Sequence, residues 1–257
     1  MRVVIKVGTS TLAHSSGWLN IRRVEHLCKV MADLKNAGHE LVLVSSGAIG
    51  MGVGKMGLRS RPTDMPTKQA AAAVGQCELM YTYDKLFSEY SHSVAQLLLT
   101  GEDITGQRRY NVENTLFRLL ELGIMPIVNE NDTVATEEIE IGDNDTLGAV
   151  VAVSVQADLL VLLTDIDGLY TADPHTHPDA KLLPVVEVID DKLLAMAGGS
   201  TSGLGTGGMN TKLSAAKIAT AAGCDVVIAN GAAPDLLYRI VEGESVGTRF
   251  VGRREAQ

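Results

Sequence analysis

Three things that would direct the reading elsewhere are missing from these 257 residues: an excess of basic charge, a long apolar run and a cysteine framework. Lysine and arginine total 22 against 31 acidic residues, for a net charge of -9, and no Lys/Arg run breaks the balance. A nucleic-acid backbone would be held against long-range repulsion, so nucleic acid is not an expected partner. No apolar stretch reaches the roughly 18 residues of a membrane span. Met1 leads straight into Val3-Val4-Ile5-Lys6-Val7 rather than a basic segment followed by an apolar one, and the expectation is a cytoplasmic protein. Cys28, Cys77 and Cys224 are odd in number, far apart and without CxxC spacing, which excludes a disulfide framework and a zinc cluster and leaves them as reduced core residues.

Stock catalytic motifs are missing too. The Gly54-Lys55 pair is followed by Met56 and has Ile49 where a P-loop needs its first glycine; HExxH and GxSxG do not occur, and the six histidines are scattered. P-loop, metal hydrolase and serine hydrolase readings lose their support.

What is there is an alternation of apolar strands and amphipathic helices, with 46% hydrophobic residues to build one large core. Strands are expected at Arg2 to Val7, His39 to Val44, Val94 to Leu99, Met125 to Val128, Leu159 to Leu163 and Asp225 to Ala229, with a short surface strand at 137–141. Ile21, Val24, Leu27, Cys28, Met31 and Leu34 recur at helical spacing up to Gly38, and further helices fit 68–90, 112–122, 145–155, 211–222 and 234–241. Gly8 to Thr11 reads as a small-residue turn, Ser45 to Gly50 as a strand-to-helix corner and 56–66, with Pro62 and Pro66, as a loop. The sum is an α/β chain folded as a doubly wound sandwich with a mostly parallel sheet, without repeat or linker.

Chemistry-bearing residues follow the strands, where open α/β sheets hold their ligands: Lys6 to Ser10, Ser45 to Gly50, Asn129 to Asp132, Gly142 to Asp145, Thr164-Asp165 and the glycine loop 205–208 ahead of Lys212. Each has a plainer reading, since Asn129 to Asp132 can be a turn and Asp143 or Asn144 a helix cap. Lys6 is harder to explain away, because a lysine in an apolar strand is costly to bury unless an anion awaits it. Two lysines and two glycine loops supply the positive charge and fixed amides that phosphoryl transfer requires, and Asp145 is the candidate carboxylate to hold the lysines in place.

Taken in order, Lys6-Val-Gly-Thr-Ser, Ser-Ser-Gly-Ala-Ile (45–49), Asn-Glu-Asn-Asp (129–132), Gly-Asp-Asn-Asp (142–145), Gly-Thr-Gly-Gly-Met-Asn-Thr-Lys (205–212) and the segment Lys68 to Gln76 resemble the glutamate 5-kinases of the amino acid kinase family over essentially the whole chain. That resemblance implies a three-layer α/β/α sandwich in one domain spanning 1–257. It implies ATP held by Lys6, Gly8, Thr164, Asp165, Thr206, Gly207, Gly208, Met209, Asn210, Thr211 and Lys212, with Mg2+ on its phosphates. Lys6, Lys212 and Asp145 would be catalytic, and Ser46, Gly47, Asn129, Asp132 and Asn144 would bind L-glutamate; no protein-held metal is implied. A homo-oligomer inhibited by proline is a further expectation. Many members carry a C-terminal PUA domain, and this chain, ending at Gln257, resembles the short form. Competing readings are a kinase of N-acetylglutamate and a catalytically silent nucleotide sensor of the same fold.

Overall fold

The structure, a computed structural model, describes residues 1–14, 18–134, 144–174, 176–197 and 208–253. In chain order the elements are β1 (Arg2–Val7), α1 (Thr9–Leu12), α2 (Ile21–Asn36), β2 (Glu40–Val44), α3 (Ala48–Lys55), α4 (Met65–Ser88), β3 (Val94–Leu99), α5 (Gly101–Thr105), α6 (Arg109–Glu121), β4 (Met125–Glu130), α7 (Asn144–Ser154), β5 (Leu159–Thr164), β6 (Val185–Val186), α8 (Asp191–Ala197), α9 (Met209–Ala221), β7 (Asp225–Asn230), α10 (Leu236–Val241) and β8 (Thr248–Phe250). The strands form one sheet in the order β3-β4-β2-β1-β5-β7-β8-β6, parallel throughout except for the β7–β8 pair.

Alternation along the strands sorts the core into two faces. Val4, Val42, Val44, Leu160, Leu162, Val226 and Ile228 pack under α7 and α9. Val3, Ile5, Val7, Leu41, Leu43, Val161 and Val227 pack under α2 and α4. Lys6 pairs in register with Val44 and Leu162, which places it on the α7 side. A strand buried on both faces has no other polar residue to spare, and β1 is buried from Val3 to Val7.

Several sequence expectations need correction. Pro66 is not in a loop: it lies in the first turn of α4, where no intrahelical N–H bond is lost, behind the Asp64 side chain that caps Thr67 N. Residues 48–55 form the helix α3 despite three glycines, because glycine lets its backbone meet α4. A Cβ on Gly52 would collide with the Ala71 carbonyl oxygen, and one on Gly75 with that of Ala48. Gly8 to Thr11 is not only a turn, since Thr9–Leu12 close a short helix. Asn129 and Glu130 continue strand β4 instead of starting a turn. Cys28 and Cys224 are buried, but Cys77 is exposed. The expected strand at 137–141 and most of the loop 198–208 lie outside the described residues.

Candidate active site

At the carboxyl edge of the central strands, three helices start without a side-chain cap. The residues before α1, α3 and α9 are Gly8, Gly47 and Gly208, and none of the three has a capping hydrogen bond. Helices α2 and α4, by contrast, start on Asn20 and Asp64, whose side chains accept from Arg23 N and Thr67 N. Uncapped amides at a helix start are free to receive an anion. Gly47 holds the corner with φ +89°, a conformation that few side chains tolerate.

The charged centre of this edge is Asp145, on the first turn of α7 and fully buried. Lys6 Nζ lies 2.6 Å from its Oδ1 in a buried ion pair. Lys212 Nζ, from the first turn of α9, donates to Oδ2 at 3.1 Å, and Thr211 Oγ1 reaches the same oxygen at 3.2 Å. Burial pushes the Asp145 carboxyl upward, but the attraction of Lys6 and Lys212 outweighs it and holds the group below the usual carboxylate range. Both lysines are almost completely buried, at 7% and 5% exposure. The Lys6 stem runs beside Gly148, where a Cβ would come within 3.3 Å of Lys6 Cβ. Two buried ammonium groups thus converge on one carboxylate, an arrangement of fixed positive charge that suits a phosphoryl group.

One residue earlier, Asn144 faces a neutral network. Its Nδ2 donates to Ser45 O at 2.9 Å, to Ser46 Oγ at 2.8 Å and, longer, to Asn129 Oδ1 at 3.3 Å. Asn129 Oδ1 also accepts from Glu130 N, and Asn129 Nδ2 donates to Gln76 Oε1 at 2.9 Å. Ser45 Oγ and Tyr83 OH, both buried, share a hydrogen bond at 3.0 Å. Asp132 follows in the turn after β4, half-buried.

Of the residues singled out in the sequence, Lys6, Asp145, Thr211 and Lys212 come together, as do Ser46, Asn129 and Asn144. Gly8 and Thr164 sit at the ends of neighbouring strands, with Gly8 N bonded to Leu163 O and Thr164 Oγ1 to Asp165 Oδ1; Asp165 is exposed. Gly208, Met209 and Asn210 open α9, Asn210 exposed and Met209 buried. Thr206, Gly207, Gly142 and Asp143 lie outside the described residues. The sequence assigns no role to Gln76, Tyr83 or Gly148, and marks Ser45 only as part of the corner Ser45 to Gly50. The signal for the first two was available only in retrospect: a glutamine and a tyrosine seven residues apart share one helix face with buried apolar neighbours.

Comparison with known proteins bears on the family and the fold. The model of the amino acid kinase family matches residues 1–230. A glutamate 5-kinase of Clostridium perfringens is 52% identical over 258 residues, covering 98% of this chain and 96% of that protein. One of Caldanaerobacter subterraneus is 53% identical over 252 residues, covering 98% of this chain and 68% of the relative. Among solved structures, a UMP kinase from Bacillus anthracis superposes with a TM-score of 0.67 at 16% identity, covering 98% of this chain and 96% of that one. An isopentenyl phosphate kinase from T. acidophilum does so with 0.67 at 18% identity, covering 97% of this chain and all of that one. At those identities the two structures show the fold alone.

Proposed function

Because the chain belongs to the amino acid kinase family, on its glutamate 5-kinase branch, we propose that it transfers the γ-phosphoryl group of ATP to the side-chain carboxylate of L-glutamate, giving L-glutamyl 5-phosphate, the first step of proline biosynthesis. The observation that carries this reading to the site is the buried clamp in which Lys6 and Lys212 grip the two oxygens of Asp145. A glutamate carboxylate oxygen attacks the γ-phosphorus, and the bond to the bridging oxygen of the departing ADP breaks. No proton has to move, because a side-chain carboxylate is ionised at neutral pH. What the transfer needs is charge on the moving group. Lys6 and Lys212 supply that charge, and Asp145 keeps the two ammonium groups within a carboxylate's width. Asp145 is therefore an organiser and not a base, in keeping with its lowered pKa.

The nucleotide would lie across the uncapped start of α9 and the strand ends carrying Gly8 and Thr164-Asp165, with Thr206 and Gly207 completing its loop. Among the described residues no group of three or more His, Cys, Asp or Glu side chains could hold a metal ion. Mg2+ would travel on the ATP phosphates, its usual seat in phosphoryl transfer. On the other side of α7, Ser46, Gly47, Asn129 and Asn144 would bind glutamate by hydrogen bonds, with Asp132 meeting its ammonium group.

ADP release measured across glutamate, N-acetylglutamate, aspartate and UMP tests this reading. Release with glutamate alone is expected. Acetylation removes the ammonium and leaves acceptors facing an amide, so a loss on the order of 10³ in kcat/KM is expected if that contact is buried. Preference for any of the other three would replace the substrate while leaving the family intact.

A further inference from the structure

The segment Lys68 to Gln76 is part of the likeness to glutamate 5-kinases, and Gln76 closes it. It sits next to Gly75, where α4 touches the α3 backbone, and is only 7% exposed. Two turns further along the same face, Tyr83 holds Ser45. Helix α4 thus reaches the proposed glutamate pocket twice, once at Ser45 and once at Asn129.

The amide orientations in this network are dictated by backbone groups at its ends. Glu130 N can only donate, so Asn129 must present Oδ1 to it and Nδ2 to Gln76, which in turn must accept through Oε1. Ser45 O can only accept, so Asn144 must turn Nδ2 towards it. Among the described residues, two buried atoms of this network are then left without a partner, the donor Gln76 Nε2 and the acceptor Asn144 Oδ1. A network built only to fill the interior would not leave such costly groups open. An acceptor beside Ser46 suits an ammonium group.

We propose that Gln76 is a positioning residue for the acceptor substrate: by accepting from Asn129 Nδ2 it holds in place a side chain whose orientation Glu130 N already sets, and so keeps Asn129 Oδ1 against Asn144, whose own Oδ1 then faces the substrate's ammonium. This rests on the glutamate reading above. Gln76 does not touch the reacting atoms, and its effect falls on substrate binding.

Gln76→Met keeps the length of the side chain and removes the acceptor. It is expected to raise the glutamate KM about tenfold, the size of one lost hydrogen bond, with kcat and the ATP KM within about twofold. In an Asn144→Ala background the same change should add nothing further to the glutamate KM, because the relay then has no end to act on. Gln76→Glu retains the oxygen that accepts from Asn129 and replaces only the unpartnered nitrogen, so its glutamate KM should stay within about threefold of the parent. If the methionine form does not fold, Gln76→Ala, which removes the same acceptor without adding bulk, carries the same expected rise in the glutamate KM. An unchanged KM in Gln76→Met, an equal increase with and without Asn144, or a Gln76→Glu as impaired as Gln76→Met would overturn the proposal while parent enzyme active on glutamate keeps the substrate reading. A parent that ignores glutamate sinks both.

Discussion

Asn144 and Asp145 are neighbours in sequence and start the same helix, but they serve two differently built regions. Asp145 anchors a clamp of three charges, each lysine within 3.1 Å of a carboxylate oxygen. Asn144 anchors a neutral pocket joined from Ser45, Ser46, Asn129 and Gln76 by hydrogen bonds, with a donor and an acceptor left over. On the function proposed above, the clamp would act on a charge that moves and the neutral network on a substrate that stays bound. Damage to the first should therefore appear in kcat, and damage to the second in the glutamate KM.

The largest break expected is Lys212→Ala. Loss of one of two cations on the transferring group should lower kcat by at least ~10² with the glutamate KM nearly unchanged. Steady-state kinetics with glutamate varied at saturating ATP separates the parameters, and a near-normal kcat would remove Lys212 from the mechanism.

Asp145→Asn tests whether the clamp is also a structural element. Two buried lysines would lose their shared anion, and removing one partner of a buried ionic group costs about 3–5 kcal/mol. Chemical denaturation should show that loss together with a fall in kcat; full activity at neutral pH would refute the organiser role. The pH dependence has a definite sign. The folded pKa of Asp145 lies below its unfolded value, so its contribution to stability is complete above the unfolded pKa of about 4 and is lost as pH falls through the lower folded one. The difference in stability between parent and Asp145→Asn should narrow only in that acid range.

Asn144→Ala should act on the other region. It removes the Nδ2 hydrogen bonds to Ser45 O and Ser46 Oγ, the longer shared contact to Asn129 Oδ1 and the Oδ1 acceptor, and an increase of about tenfold to a hundredfold in the glutamate KM is expected, with a smaller change in kcat. A change confined to kcat would blur the distinction between the two regions. The smallest effect is expected from Gly148→Ala. Its new methyl group would press on the Lys6 stem at 3.3 Å and cost roughly 1–3 kcal/mol of stability if neither side gives way, with only a modest loss of kcat.

The same contrast explains what could be read from the sequence. The clamp was legible because a lysine in the apolar run Val3 to Val7 demands an anion. The pocket was legible only in part, since Asn129 and Asn144 are also ordinary turn and cap residues, and Gln76 lies on a long helix where a polar residue carries no message about its partner. The six long strands stood out by their apolar runs and β-branched content, within a residue or two of their ends. Helix α3, with glycines at 50, 52 and 54, has a poor intrinsic propensity and exists through its contact with α4; β6 and β8 are only two and three residues long.

The most direct test of the account is to trap the acyl phosphate with hydroxylamine in parallel reactions of the unmodified protein with L-glutamate and N-acetylglutamate. The account predicts ATP-dependent hydroxamate from glutamate and, at equal concentration, less than about a hundredth as much from the acetylated substrate. Comparable yields from the two would contradict it.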